Sequence, residues 1–455
     1  MNLIYGIKDK PKFGQMLVFA FQQVLAILAA TIAVPAIINS NEAVLNAFPE
    51  FANGEGMSAA AALFGAGVGT LVYQLFTKFR SPVFLGSSFA FIGSLVAAFA
   101  GATSAAAGFA GIVIGAIFAG LVYVVIAVVV KCVGVQWINK LMPPVVIGPT
   151  VALIGLSLAG AAIKDVFSYG PQDANGSFIM SANIWASLIC ALVTLLVVVL
   201  ASTYGKKMIK LIPFIIGILA GYVVAAIFTV CGIPVIDFSL FQNMQIVAVP
   251  QFTFLEAMKG VTEINGAYIA TVAVAYIPVA FVVFAEHIAD HKNLSTIIGA
   301  ELLEDPGLHR TLLGDGVGSV AGAIFGGCPN TTYGESVGCV AITRNASVVT
   351  ITTTAIMCII ISFFGPFVAF LDSIPGCVMG GVCVTLYGFI ACSGLKMIQK
   401  VDLNQNKNLF VVASILIPGI GGMAMAIGKV TLTSIACALI LGIIVNSLLC
   451  KAKDE

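Results

Sequence analysis

Two stretches decide how this chain folds: Phe84-Leu85-Gly86-Ser87-Ser88-Phe89-Ala90-Phe91, and Pro329-Asn330-Thr331-Thr332-Tyr333-Gly334-Glu335-Ser336-Val337-Gly338. Each sits inside an otherwise apolar run and is too polar, or too rich in Gly and Pro, to continue as a lipid-facing helix. In the first, Pro82 and Gly86 disfavour helix, and Ser87 and Ser88 are suited to cap a half-helix that begins near Phe89. The second begins Cys328-Pro329 and returns to apolar residues after Ser336. Two broken elements facing each other at membrane depth are the natural reading, each offering free backbone amides to a ligand. Close packing of Ser and Gly between helices is the competing explanation.

Composition supports this membrane setting. Of 455 residues, 60% are apolar and only 9% charged, against roughly a quarter charged in a soluble domain. Most of the exterior must therefore face hydrocarbon. A net charge of +1 leaves no basic face for nucleic acid. The apolar run after Met1–Phe13 is too long for a signal peptide and lacks a small-residue cleavage site, so it reads as a retained first span. The 11 cysteines show no C-x-x-C pair and no zinc-ligand spacing, and read as packing residues; no metal site or cofactor is expected.

Apolar segments fall at roughly 14–38, 57–76, 82–100, 109–130, 145–162, 184–202 and 211–231, then at 267–290, 311–325, 328–342, 348–368, 378–393, 409–426 and 432–449. The expectation is an all-α polytopic membrane protein of about fourteen segments, broken at the third and tenth. Basic residues test the register. Eighteen of the 21 Lys and Arg fall in alternate loops, and only Lys164, Lys259 and Lys429 in the others. One miscounted span near the middle would destroy that split, which puts both termini in the cytoplasm. Seven segments per half invert the second half against the first, and Pro143-x-x-x-x-Gly148 echoes Pro375-x-x-x-x-Gly380 at corresponding positions.

Two carboxylates fall within apolar surroundings, Glu286 late in the eighth segment and Glu335 in the tenth, with no Lys or Arg in those spans. At membrane depth each must be paired, wet or neutral, and taking up a proton is the inexpensive solution. Such an acid is suited to couple proton movement to reorientation. Asp290 follows Glu286 by four residues and shares its helical face, so the two acids can share a proton. His287 lies off that face and reads as a packing or interfacial residue, His291 and Lys292 as headgroup residues, and Asp315 as a helix cap. Phe89 or Tyr333 is suited to cover a flat apolar ligand face. Gln22 and Gln23 reach either a site or a neighbouring helix.

These motifs, taken with Asp305-Pro306-Gly307-Leu308-His309-Arg310 and the run Glu335 to Arg344, recur in one order with one spacing. The chain resembles the nucleobase/ascorbate transporter family over nearly its whole length, on the side of the bacterial uracil/proton symporters. The resemblance implies a core of segments one to four (14–131) and eight to eleven (267–368). It also implies a gate of segments five to seven (140–232) and twelve to fourteen (375–450), and a homodimer formed through the gate. It implies that Glu286 and Glu335 bind the edge of uracil, that backbone near Phe89 and Gly334 donates hydrogen bonds, and that Tyr333 lines the pocket. Ring N–H groups need acceptors and ring carbonyls need donors, which fits. Three residues depart from the pattern: Asp290 stands where uracil carriers often have histidine and purine carriers Asp, Ser336 replaces an asparagine, and Gln23 a histidine. Ser88, Gln22, Gln23 and Ser336 are thus candidates for supporting the site.

The expected activity is import of uracil with protons across the cell membrane by alternating access, with a purine carrier of the xanthine type as the alternative. An anion exchanger on a similar plan should show a buried Arg or Lys facing the half-helices, and none is visible. No nucleophile–base pair or cofactor fingerprint points to an enzyme.

Overall fold

The structure is a computed structural model that describes residues 3–134, 143–206, 208–242, 244–427 and 430–449. Lys140, Lys207, Lys429, Lys451 and Lys453, among the basic residues counted above, lie outside the described residues.

Helices dominate. In the first half they are α1 (Phe13–Ser40), α2 (Ala59–Phe76), α3 (Ile92–Ala100), α4 (Ala105–Val133), α5 (Pro144–Ser157), α6 (Ala182–Tyr204) and α7 (Pro213–Val230). In the second they are α8 (Gly266–Ile298), α9 (Leu308–Gly326), α10 (Gly334–Thr343), α11 (Val348–Ile361), α12 (Gly376–Ile398), α13 (Asn406–Ile420) and α14 (Ser434–Leu449). Each apolar segment read from the sequence coincides with one of them. Among the described residues, eight helices are long and apolar enough to cross a membrane: α1, α2, α4, α5 with its extension to Val166, α6, α7, α8 and α12. Polar side chains start several of them: Ser58, Ser104, Ser181 and Asn265 each accept a first-turn N–H.

The expectation of an all-helical chain needs one amendment, for strands replace helix at both broken segments. Leu85–Ser87 forms β1 and Asn330–Thr332 forms β2, paired antiparallel with Gly86 opposite Thr331. The reason is backbone satisfaction. Where helix is impossible in hydrocarbon, the two interruptions satisfy each other's N–H and C=O groups. Segment thirteen also differs: its helix stops at Ile420, where Pro418 and the left-handed Gly422 end it, and Met425–Ile427 pairs with Val430–Leu432. Segment eleven breaks after Ile361 and resumes as a short helix, Gly365–Asp372, with Pro366 in its first turn.

The packing is two-fold in pattern. The α2–α9 pair maps onto itself when each segment is exchanged for the one seven along; α4–α9 maps onto α2–α11, α4–α8 onto α1–α11, α6–α7 onto α13–α14, and α6–α12 onto α5–α13. With an odd number of segments per repeat, the repeats are inverted. Helix α9 packs on α2 and α4, and α12 on α5 and α6. Ion pairs join loops that the charge count assigns to one side: Arg80 to Asp305 at 2.7 Å, and Lys164 to Glu42. Lys164 holds the exposed Glu42 carboxyl below its usual range.

The α2–α9 crossing is the tightest joint. A Cβ on Gly65 would stand 2.6 Å from the Gly322 carbonyl oxygen, and one on Gly318 would stand 2.8 Å from that of Gly69. Only hydrogen at these positions lets the two backbones meet, the small-xxx-small solution of membrane helices. Gly65→Val and Gly318→Val are each expected to cost ~1–3 kcal/mol or more by overpacking, lowering the yield of monodisperse protein in detergent. Gly388→Ala, where a Cβ meets nothing within 4 Å, should leave that yield unchanged.

Candidate functional site

The interrupted segments are held by side chains of the surrounding core. From α2, the Thr70 hydroxyl accepts from the Leu85 N–H at 2.9 Å, and the Gln74 amide donates to the carbonyls of Ser81 and Val83 at 2.9 and 3.2 Å. Asn330 donates to the Gly65 carbonyl at 3.0 Å and fills the notch between Gly69 and Gly322. Ser319 donates to the Asn330 carbonyl. Tyr333 folds back over Gly86 and donates to the Ser87 carbonyl at 2.8 Å. Apart from the tie to Gly65, which lies within continuous α2, these bonds satisfy backbone groups that a continuous helix would have paired.

What this frame leaves free are two helix starts. Phe89–Phe91 leads into α3, and Gly334 opens α10, and neither start receives a side-chain cap. The expected serine caps are absent: Ser88 uses its backbone N–H to reach the Pro329 carbonyl at 3.0 Å, and its hydroxyl has no hydrogen-bond partner among the described residues. Both starts face a cavity of about 390 Å³, within the roughly 300–1,000 Å³ usual for small-molecule sites.

The cavity has two unlike walls. From α8, α10 and the interruptions come Phe89, Glu286, Asp290, Thr332, Tyr333, Gly334 and Glu335; from α5, α7 and α12 come Val151, Ile154, Phe214, Leu386, Phe389, Ile390, Ser393 and Met397. One wall carries three carboxyl groups and the open helix starts, the other almost only apolar side chains. Phe89 touches the second group through Tyr387, ring centroids 6.3 Å apart. Thr332 donates to Asp290 at 2.7 Å, which orients that carboxyl and occupies one of its oxygens.

Among the supporting residues, Gln23 is buried and donates to the Ser336 hydroxyl at 2.5 Å, joining α1 to α10 behind the site. Two of the three residues that depart from the pattern the resemblance implies are thus hydrogen-bond partners. Gln22 points elsewhere, into an outer groove with Leu17, Phe21 and Met357, and does not reach the cavity. Tyr333 borders the cavity but is only 3% exposed, its ring and hydroxyl committed to β1.

Two readings of α8 and α9 are overturned, and that of His287 narrows to packing. The helix runs eight residues beyond Asp290, so His291 is buried in the core, where its Nε2 meets the Tyr73 hydroxyl at 2.7 Å. His287 is no interfacial residue: its Nδ1 lies 2.7 Å from Asp315. Asp315 caps nothing, because α9 already begins at Leu308 and the carboxyl is wholly buried. The residue that sequence reasoning missed is therefore the partner across helices. A pairing 28 residues apart leaves no periodic signal; the only available hint was an acid within an apolar helix whose basic residues, His309 and Arg310, stand at its start.

The model of a permease family matches residues 14–428. The chain belongs to that family, as its motifs indicate. It is 35% identical to the uracil permease of Bacillus caldolyticus, over 98% of this chain and 94% of the relative. With the uracil permease of Bacillus subtilis the figures are 36%, 99% and 96%, and with that of Escherichia coli K12 they are 34%, 96% and 92%. Among solved structures it is similar in fold to the murine Solute Carrier 26 family member A9 anion transporter in the inward-facing state, with a TM-score of 0.66 at 13% identity, covering 97% of this chain and 69% of that one. It is likewise similar to the transmembrane domain of a cyanobacterial bicarbonate transporter, with a TM-score of 0.60 at 16% identity, covering 97% and 100%. The permease is thus a multi-pass membrane protein of the inverted-repeat fold.

The contact between Gly86 and Tyr333 is directly testable. A Cβ at Gly86 would stand 2.3 Å from the Tyr333 ring, so Gly86→Ala should lower the thermal midpoint in detergent. Adding Tyr333→Leu should recover part of the loss, with a coupling of ~0.5–3 kcal/mol in a double-mutant cycle. Additive losses would mean that the ring does not constrain the strand.

Proposed function

We propose that this permease imports uracil together with protons across the cell membrane, working by alternating access. The observation that carries the reading is the polar wall: acids on α8 and α10 beside two uncapped helix starts. Uracil presents ring N–H donors and carbonyl acceptors along one edge. Glu286 and Glu335 accept from the N–H groups, and amides near Phe89 and Gly334 donate to the carbonyls. The opposite wall of Phe214, Leu386, Phe389 and Ile390 covers the flat faces of the ring. The naming of the relatives as uracil permeases supports the cargo.

The same acids carry the coupling. Three carboxyl groups share one cavity, and among the described residues no Lys or Arg lines it, so beside the two helix starts it is bound protons that offset their charge. Glu286 or Glu335 takes a proton before the group α1–α4 with α8–α11 moves against α5–α7 with α12–α14; Asp290 shares that proton. The second group also serves as the face of a homodimer. The distribution of basic residues supports cytoplasmic termini.

A purine cargo of the xanthine type is the second reading, favoured by the single observation of Asp290 in the cavity wall. Anion exchange has the fold in its favour and the charge of the cavity against it.

Proteoliposomes with separately imposed gradients test the proposal. An inward proton gradient should accumulate radiolabelled uracil and a sodium gradient should not, and excess xanthine should compete weakly. Glu286→Gln and Glu335→Gln should each reduce proton-driven accumulation to background with the protein still inserted. Accumulation by E286Q under the proton gradient would remove Glu286 from the coupling, and strong competition by xanthine would change the cargo.

A further inference from the structure

Two of the chain's three histidines lie on α8, one position beyond each cavity acid and hence turned about 100° from them. His287 and His291 are wholly buried, their rings stacked at 4.0 Å between centroids. Neither lines the cavity. Their partners lie in the core: His287 Nδ1 meets Asp315 Oδ2 at 2.7 Å, His287 Nε2 meets Thr311 Oγ1 at 3.0 Å, and His291 Nδ1 meets the His287 carbonyl at 2.8 Å.

The hydrogens can be counted. The Thr311 hydroxyl has one, and it is donated to the Leu308 carbonyl at 3.0 Å. Toward His287 it must therefore accept, so Nε2 carries a hydrogen. A separation of 2.7 Å between Nδ1 and Oδ2 requires a second hydrogen between them. The pair then holds two hydrogens and is neutral overall, whether written as imidazolium with carboxylate or as imidazole with carboxylic acid. Losing the shared hydrogen would leave a negative charge with nothing to meet it. Asp315 Oδ1 has no hydrogen-bond partner among the described residues. The titratable groups around the pair are Tyr123 of α4, His291 backed by Tyr73 of α2, and on the cavity side Glu286, Asp290 and Glu335. None of these supplies a compensating cation without itself taking a proton.

We propose that His287 and Asp315 form a proton-retaining positioning pair, which locks α8 against α9 so that Glu286 and Asp290 face the cavity, and which takes no part in proton exchange. The lock is reinforced along the same helix, where Ser94 donates to the Ala275 carbonyl at 2.7 Å and Tyr268 to the Ala98 carbonyl at 2.6 Å. Helix α8 thus has a reactive face and a fixed one. The inference rests on the reading above that the cavity acids bind cargo and protons.

The purified full-length chain tests it in three ways. In Asp315→Asn the new amide donates to Nδ1 while Nε2 keeps its hydrogen, so uracil affinity should stay within a few-fold of the parent and the pH midpoint of uptake should not move. Asp315→Glu lengthens the tie by a methylene, and should weaken uracil binding roughly 10- to 100-fold and shift that midpoint. In the unaltered protein labelled with 15N-histidine, both ring nitrogen signals of His287 should stay constant between about pH 5.5 and 8.5. The proposal is overturned if D315N binds uracil but loses proton-driven accumulation, if D315E behaves as the parent in both readouts, or if His287 titrates in step with uptake. The nitrogen signals need no variant to fold and do not depend on the outcome of E286Q, so failure of the cavity reading and failure of this one are distinguishable.

Discussion

A polypeptide that leaves the helical conformation inside hydrocarbon must find partners for every amide it frees, and the arrangement of this permease follows from how it does so. The interruptions at Leu85–Ser87 and Asn330–Thr332 pair with each other, what the pairing does not satisfy is met by Thr70, Gln74 and Ser319, and Asn330 ties the second interruption to the Gly65 carbonyl of α2. These side chains sit where they do because glycines let α2 and α9 meet backbone to backbone. The close crossing, the strand pair and the two open helix starts are one structural solution, and the cavity is what that solution leaves unfilled.

The scaffold is symmetric and its chemistry is not. Exchange of the repeats maps one helix contact onto another, yet the acids all come from the second repeat: Glu286 and Asp290 from α8, Glu335 from α10. The equivalent first-repeat elements supply an aromatic ring, Phe89, and a buried amide, Gln23, which acts behind the site through Ser336. An inverted pair of repeats provides two helix starts aimed at one point, and divergence between the repeats then decides what those starts hold.

Much of this was legible in the sequence because it is local. Pro82 with Gly86, and Pro329 with Gly334, mark where helix must fail; the alternation of basic loops fixes the parity of the spans; and Glu286 and Glu335 stand out against their apolar neighbours. What was not legible depends on contacts between distant segments. Nothing near His287 indicates that its far face meets Asp315, and helical spacing alone does not tell a buried face from a lipid-facing one. Gln22 and Gln23 are adjacent and chemically identical, yet one looks into an outer groove and the other reaches Ser336. The serines at 87 and 88 have the right composition for a cap, but Ser87 is taken into β1, and Ser88 reaches the Pro329 carbonyl through its backbone while its hydroxyl leaves the helix start open.

The likeness to anion transporters sharpens the question of what sets the cargo. A helix start carries roughly half a positive charge, so two of them aimed at one cavity make, by themselves, a site for an anion. In this permease Glu286 and Glu335 stand in the same cavity, with Asp290 one turn along α8, its carboxyl oriented by Thr332. The side chains of α8 and α10 therefore reverse the electrostatic preference that the fold alone would impose. On the function proposed above, a cavity so balanced takes a neutral molecule that carries donors and acceptors side by side, and a proton relieves the repulsion among its acids. On that proposal fold and cargo are separable: the interrupted segments fix where a ligand sits, and the acids on the neighbouring helices determine its charge.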